Sequence, residues 1–247
     1  MDKKRRPFVT QALILLCIGI FIIQAIEAKR DRSLGLSPIM TTLLYDYPAS
    51  FAANPNSPPA LFEGRYWQGL YNILLEPHTA GRGPLFEKIR EGELYRLITP
   101  VVLHGGILHI LFNMLWLYLL GSQVEVRLGI PRYLLLSLII GVISNTAQYI
   151  ASGFLFIGYS GIIAGLAGFI WMRQRRTPWE GYPVPRITLI VLAIFILGSA
   201  LISLFSFTAM KLGILELPAM LANTAHIVGA LVGIACGSFS FWQKRHS

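Results

Sequence analysis

The chain has 247 residues, of which 54% are apolar and only 13% charged, with a formal net charge of +9. Soluble chains carry roughly a quarter charged residues, so this composition excludes a soluble domain, a disordered chain and a conventional nucleic-acid binder. The composition also excludes a secreted disulfide scaffold; the two cysteines, Cys17 and Cys236, sit inside apolar runs and are expected to face lipid or core, with a bridge or metal pair as the remote alternative.

A hydrocarbon core of about 30 Å takes about 20 residues of helix. The first such run, Phe8 to Ala28, follows Lys3, Lys4, Arg5 and Arg6. Its flanks resemble a signal peptide, but its length and the lack of a small-residue cleavage site make it a membrane helix. A long polar loop follows. Within it, Glu63–Leu75 places Tyr66, Trp67, Leu70 and Tyr71 mostly along one helical face, expected either at the membrane interface or against the protein's own helices. Further apolar runs are Val101–Gly121, Tyr133–Ala151, Ser160–Met172, Ile187–Phe207 and Ala222–Trp242. The expected fold is therefore an all-α integral membrane protein: a bundle of six transmembrane helices with a long structured outer loop after the first.

Charge sets the orientation. With the amino terminus cytoplasmic, the short inner segments hold Lys3, Lys4, Arg5, Arg6, Arg127, Arg132, Arg173, Arg175, Arg176, Arg186, Lys244 and Arg245, while the short outer loops hold Lys211 alone. This divides the chain into a cytoplasmic tail (1–7), a first helix (8–28), an extracytoplasmic loop (29–99), a membrane core (100–242) and a cytoplasmic tail (243–247), in the cell or inner membrane.

Polar groups inside a bilayer are costly, so they mark function by default. His104, His109 and Asn113 fall in the first half of the second span, Ser160 opens the fourth, and His226 lies near the start of the sixth. Those three spans run from outside to inside, so the five residues share one outer pocket. The fourth span is short, about thirteen residues from Ser160 to Arg173, so the preceding loop, Gly153–Tyr159, must dip inward to meet it. Asn145, Thr146 and Gln148, near the outer end of the third span, are expected to hydrogen-bond across helices. Gly161, Gly165 and Gly168 on the fourth span and Gly229, Gly233 and Gly237 on the sixth permit close backbone approach. That approach is what would bring Ser160 Oγ within hydrogen-bond reach of His226.

These residues carry a resemblance. His104-x4-His109-x3-Asn113, Gly158-Tyr159-Ser160-Gly161 and Ala225-His226-x2-Gly229 look like the rhomboid intramembrane serine proteases, from about Glu93 to the end of the sixth span. Glu93-Leu94-Tyr95-Arg96 and Glu125-Val126-Arg127 add to the match. The resemblance implies a dyad with Ser160 as nucleophile and His226 as base and then acid. It implies that His109 and Asn113 hold the oxyanion together with the Ser160 backbone N–H. His104 would be structural and bonded to the outer loop, while Glu93, Arg96, Glu125 and Arg127 would anchor loops.

Two positions depart from that pattern. Tyr95 stands where the family often has Trp. Ala164 stands where some members stack an aromatic residue on the catalytic imidazole, so His226 must be held some other way; Asn223, one turn earlier, either orients it or caps the helix.

The implied activity is endopeptidase cleavage of transmembrane protein substrates near the outer face, without metal or organic cofactor. Lateral entry would lie beside the fifth span, next to the Thr208–Pro218 loop. Three other readings compete. An inactive rhomboid-like protein that binds membrane helices typically loses the serine or histidine, and both are here. A small transporter would continue its polar path to the inner side. A metal hydrolase built on His104, His109 and His226 lacks H-E-x-x-H and a nearby carboxylate.

Overall fold

The computed structural model describes residues 6–30, 36–47, 86–211 and 223–243. The proposed interfacial segment Glu63–Leu75, the terminal basic residues Lys3, Lys4, Arg5, Lys244 and Arg245, and residues 212–218 lie outside these. The described elements are all helical. They are α1 (Phe8–Arg30), α2 (Pro38–Leu43), α3 (Glu87–Arg90), α4 (Ile107–Leu128), α5 (Ile130–Ser152), α6 (Ser160–Arg176), α7 (Arg186–Lys211) and α8 (Asn223–Gly237). By length and composition α1, α4 and α5 can each cross a membrane, while Arg186–Ile202 and α8 are shorter apolar helices.

Helix boundaries follow backbone chemistry. The second apolar run does not start as an α-helix at Val101. Thr99–Val102 forms a 3-10 turn with Pro100 in its first positions, and Leu103–Gly106 is non-helical up to α4. Proline fits a first turn, and the Gly105-Gly106 pair weakens any helix running through it. His104 is therefore outside the helix that carries His109. At its far end α4 runs on to Leu128, past the expected Gly121, so Glu125 and Arg127 lie on the helix rather than after it. A π-helical turn, Leu117–Gly121, interrupts its regular bonding. The fourth run is also longer than expected, reaching Arg176, and α7 continues through Thr208 to Lys211. The last run stops at Gly237 and resumes as a 3-10 turn, Ser240–Trp242.

α6 is the centre of the bundle: every residue from Gly161 to Ile170 is buried. A helix that is apolar all round belongs in such a position. α8 packs on it through paired backbones. A Cβ on Gly229 would meet the Gly161 carbonyl, one on Gly233 the Gly165 carbonyl, and one on Gly237 the Phe169 carbonyl. The matching order means the two helices run parallel in fixed register. Only glycine allows this approach, which is how small residues drive helix association without a hydrophobic driving force.

α1 is attached by polar bonds as well as apolar ones. The buried Glu125 carboxylate accepts from the Val9 N–H (2.9 Å), the Thr10 N–H (2.7 Å) and the Thr10 hydroxyl (2.7 Å). It thereby pairs N–H groups that a helix start leaves without partners, at the positive end of the helix dipole. Near the other end of α1, Gln24 Oε1 accepts from the His104 N–H, and Glu27 Oε2 accepts from the Ile39 N–H in the first turn of α2.

Segments 36–47 and 86–106 cover the Ser160 end of the bundle. Arg96 donates to the carbonyls of Thr41 (2.9 Å) and Leu44 (2.8 Å) and pairs with Glu93 (2.6 Å). The Tyr149 hydroxyl (2.6 Å) and the Lys88 N–H (2.9 Å) donate to Asp46, and Tyr45 bonds Thr146 through their hydroxyls (2.7 Å). Burial pushes the Tyr45 phenol up to about 12. At the opposite end Arg173, 1% exposed, pairs with Glu180 and donates to the carbonyls of Gly237 and Phe239. Arg127 bonds the carbonyls of Glu180 and Gly181 and lies over the Tyr182 ring, whose phenol burial raises well above its ordinary value.

Candidate active site

Ser160 is the first residue of α6, and the loop before it is built to place it there. Gly153 (φ 82°) ends α5 and Gly158 (φ 114°) turns the chain, both in the region that favours glycine. Phe154, Phe156 and Tyr159 are buried, and the Gly158 N–H donates to the Pro100 carbonyl at 3.0 Å. This non-helical segment is thus anchored to the protein through its aromatic side chains, while Leu155 faces outward.

His226 lies in the first turn of α8. Its Nε2 is 2.7 Å from Ser160 Oγ, within normal O–H···N hydrogen-bond range. The close α6–α8 contact brings the two side chains together, since both lie at the same end of paired helices. His226 is 5% exposed, and its Nδ1 has no hydrogen-bond partner among the described residues.

His109 and Asn113 reach the same place from α4. A Cβ built on Gly158 would lie 2.7 Å from His109 Nε2 and 3.8 Å from Asn113 Nδ2. His109 Nδ1 accepts from the Gly105 N–H at 3.3 Å, which leaves Nε2 as the N–H donor of the neutral ring. Asn113 Nδ2 donates one hydrogen to the His109 carbonyl at 2.9 Å and keeps a second. Two donors thus face the turn immediately before Ser160.

The remaining expected residues are arranged differently from one another. His104 stacks edge-on to His109 at 5.2 Å, and its Nδ1 bonds the Val102 carbonyl at 3.2 Å. Glu93 and Arg96 tie the 93–96 turn to α2. Glu125 holds α1, and Arg127 holds the Glu180–Gly181 turn. Gly158, Gly161, Gly229 and Gly233 occupy the close contacts already described. Asn223 does not reach His226; its amide donates to the Ser199 carbonyl on α7 at 3.1 Å.

Cross-helix bonding by the third-span polar residues is observed. Asn145 Nδ2 donates to the Leu97 carbonyl, and Gln148 Oε1 accepts from the Ala225 N–H at 2.9 Å, in the first turn of α8 beside His226. Sequence reasoning missed Gln24, Glu180 and the structural use of Arg173. Gln24 carried a usable signal, a lone polar residue in the apolar first run. Glu180 carried none, because its partner lies seven residues away across a turn.

The Rhomboid domain model matches residues 91–243, well over half of the chain. The chain belongs to the rhomboid family. It is 34% identical over 155 residues to "Rhomboid protease GlpG" of Yersinia pestis (strain Pestoides F), covering 63% of this chain and 50% of that protein. The protein of the same name from Yersinia enterocolitica serotype O:8 / biotype 1B (strain NCTC 13174 / 8081) is 32% identical over the same share of each chain. The chain thus spans about half the length of these curated rhomboid relatives. Family membership and the apolar helices make it an integral membrane protein.

Proposed function

We propose that this chain is an intramembrane serine endopeptidase that cuts transmembrane protein substrates near the outer membrane face. The 2.7 Å contact between Ser160 Oγ and His226 Nε2 carries the reading. The Ser160 hydroxyl donates to Nε2. As Oγ attacks the scissile carbonyl, its proton passes to the imidazole, which then gives it to the leaving amine. Water, deprotonated by His226, releases the acyl group and regenerates the serine. His109 Nε2–H, the spare Asn113 N–H and the Ser160 backbone N–H stabilise the oxyanion. The family expectation is a cut beside a small residue in a helix-destabilising segment, since an intact helix hides its carbonyls.

The proposed topology has six spans, both termini in the cytoplasm, residues 29–99 outside and 100–242 as the catalytic core. It is supported by arginines at the end of the bundle opposite Ser160, namely Arg127, Arg132, Arg173, Arg175, Arg176 and Arg186. Substrate would enter beside α7.

The deciding experiment is labelling with an active-site fluorophosphonate. Wild type should be labelled covalently, and both Ser160→Ala and His226→Ala should abolish labelling. A folded wild type that stays unlabelled and cuts no membrane substrate overturns the reading in favour of a non-catalytic helix-binding protein.

A further inference from the structure

Among the described residues, His226 has no hydrogen-bonding group behind it of the kind that ordinarily orients a hydrolase histidine. Such an imidazole is usually oriented by a third group bonded to its other nitrogen, yet His226 Nδ1 is buried without a partner among the described residues. Its neighbours along the helices do not supply one. Asn223, one turn earlier, donates from Nδ2 to the Ser199 carbonyl and makes no hydrogen bond to Nδ1. Gly229, roughly one turn later, has no side chain, and Ala164, one turn after Ser160, offers only a methyl.

The group that does reach the ring comes from α7. The Phe195 and His226 centroids are 6.4 Å apart at an interplanar angle of 42°, inside the range where aromatic pairs attract. Phe195 is itself 57% exposed, so much of its ring faces away from the bundle while one part lies against the imidazole. One turn further along α7, the Ser199 carbonyl accepts from Asn223, three residues before His226 on α8. Positions four apart on one helix and three apart on the other share a face. The same strip of α7 therefore grips α8 twice, once by a hydrogen bond and once through the imidazole.

We propose that Phe195 is a positioning residue for His226, so that the imidazole points Nε2 at Ser160 only while α7 is seated against α8. This deepens, and rests on, the assignment of Ser160 and His226 as the dyad. Displacing α7 removes the ring that limits the imidazole's rotation, and the 2.7 Å contact is lost with it.

The test compares full-length wild type with Phe195→Ala, Phe195→Leu and Phe195→Tyr, measuring the second-order rate of fluorophosphonate labelling and the Tm of each. Phe195→Ala and Phe195→Leu should label roughly three- to tenfold more slowly, the size of one aromatic contact, and Phe195→Tyr should restore the rate. Leu keeps the apolar bulk, so it is the deciding comparison if Ala lowers the Tm. Labelling of Phe195→Leu at the rate of Phe195→Tyr, or of Phe195→Ala at or above the wild-type rate, overturns the proposal. A wild type whose labelling survives Ser160→Ala fails differently: it removes the dyad assignment itself.

Discussion

The Gly165 carbonyl lies against Gly233, in the volume a Cβ there would occupy. One such contact fixes the separation of α6 and α8, and Ser160 and His226 are carried at the ends of those helices. The distance between serine and imidazole is thus set by backbones that touch along the whole helix pair, beginning with Gly161 and Gly229 beside the serine. Gly233→Ala should force the helices apart, lowering stability by about 1–3 kcal/mol as other overpacked cores do, and should slow probe labelling. Thermal unfolding in detergent and labelling rate check both effects. Gly198→Ala, whose Cβ would meet nothing within 4 Å, should leave the Tm unchanged or slightly raised.

Removing either proposed oxyanion donor, by His109→Ala or Asn113→Ala, should reduce kcat by roughly 10²–10³ with little change in KM. Gly158→Ala should act through His109: its methyl would collide with that ring, on a backbone at φ 114° that alanine resists. Cleavage kinetics on a transmembrane substrate distinguish these variants. A Gly158→Ala enzyme with wild-type kcat would show that the ring can leave this position without cost.

Glu125→Ala should destabilise the protein well beyond an ordinary surface change, because it leaves three donors of Val9 and Thr10 facing a buried gap. Each unpaired buried donor costs about 1–3 kcal/mol. Thr10→Val removes one hydroxyl and should cost about 1 kcal/mol. Unfolding curves of the two variants give the ratio directly.

Arg173→Met or Glu180→Leu alone should cost about 3–5 kcal/mol, since each removes one partner of a buried ion pair. The double variant should recover part of that loss, but not all, because, like Arg173→Met, it takes the guanidinium away from the Gly237 and Phe239 carbonyls. A double variant no more stable than the worse single one would show that the carbonyl bonds, not the charge pair, dominate.

Acid should loosen the turn that grips α2. Hydrogen bonds from Tyr95 and Arg96 hold the Glu93 carboxyl below its ordinary value of 4.5. The folded state therefore binds a proton less readily than the unfolded one. The resulting stability is fully present above about 4.5 and disappears as pH falls through the lower, folded value. The Tm difference between wild type and Glu93→Gln should shrink over that interval and stay constant above it.

The placement of Ser160, His109, Asn113 and His226 at one end of the bundle was legible from the sequence, because polar residues in apolar runs are few and their depth follows from counting along a helix. The pairing of glycines on α6 and α8 was legible for the same reason. Helix ends were less so: His104 was assigned to a helix because hydropathy does not register a 3-10 turn at Pro100, and α4 outran its apolar run because Glu125 and Arg127 find partners on α1 and the Glu180 turn. Other partners distant in sequence left no trace. Nothing along the chain links Thr10 to Glu125 or Phe195 to His226; folding alone makes those neighbours.

The notches on α1 bear on how the protein assembles. Thr10 seats at Glu125, Gln24 at the His104 amide and Glu27 at the start of α2, so this helix meets the rest in one register instead of sliding as a featureless apolar rod would. Supplied as a separate polypeptide, it should co-purify with the remainder of the chain and restore its thermal midpoint. A Thr10→Val/Gln24→Leu version, greasier and still long enough to span, should associate more weakly.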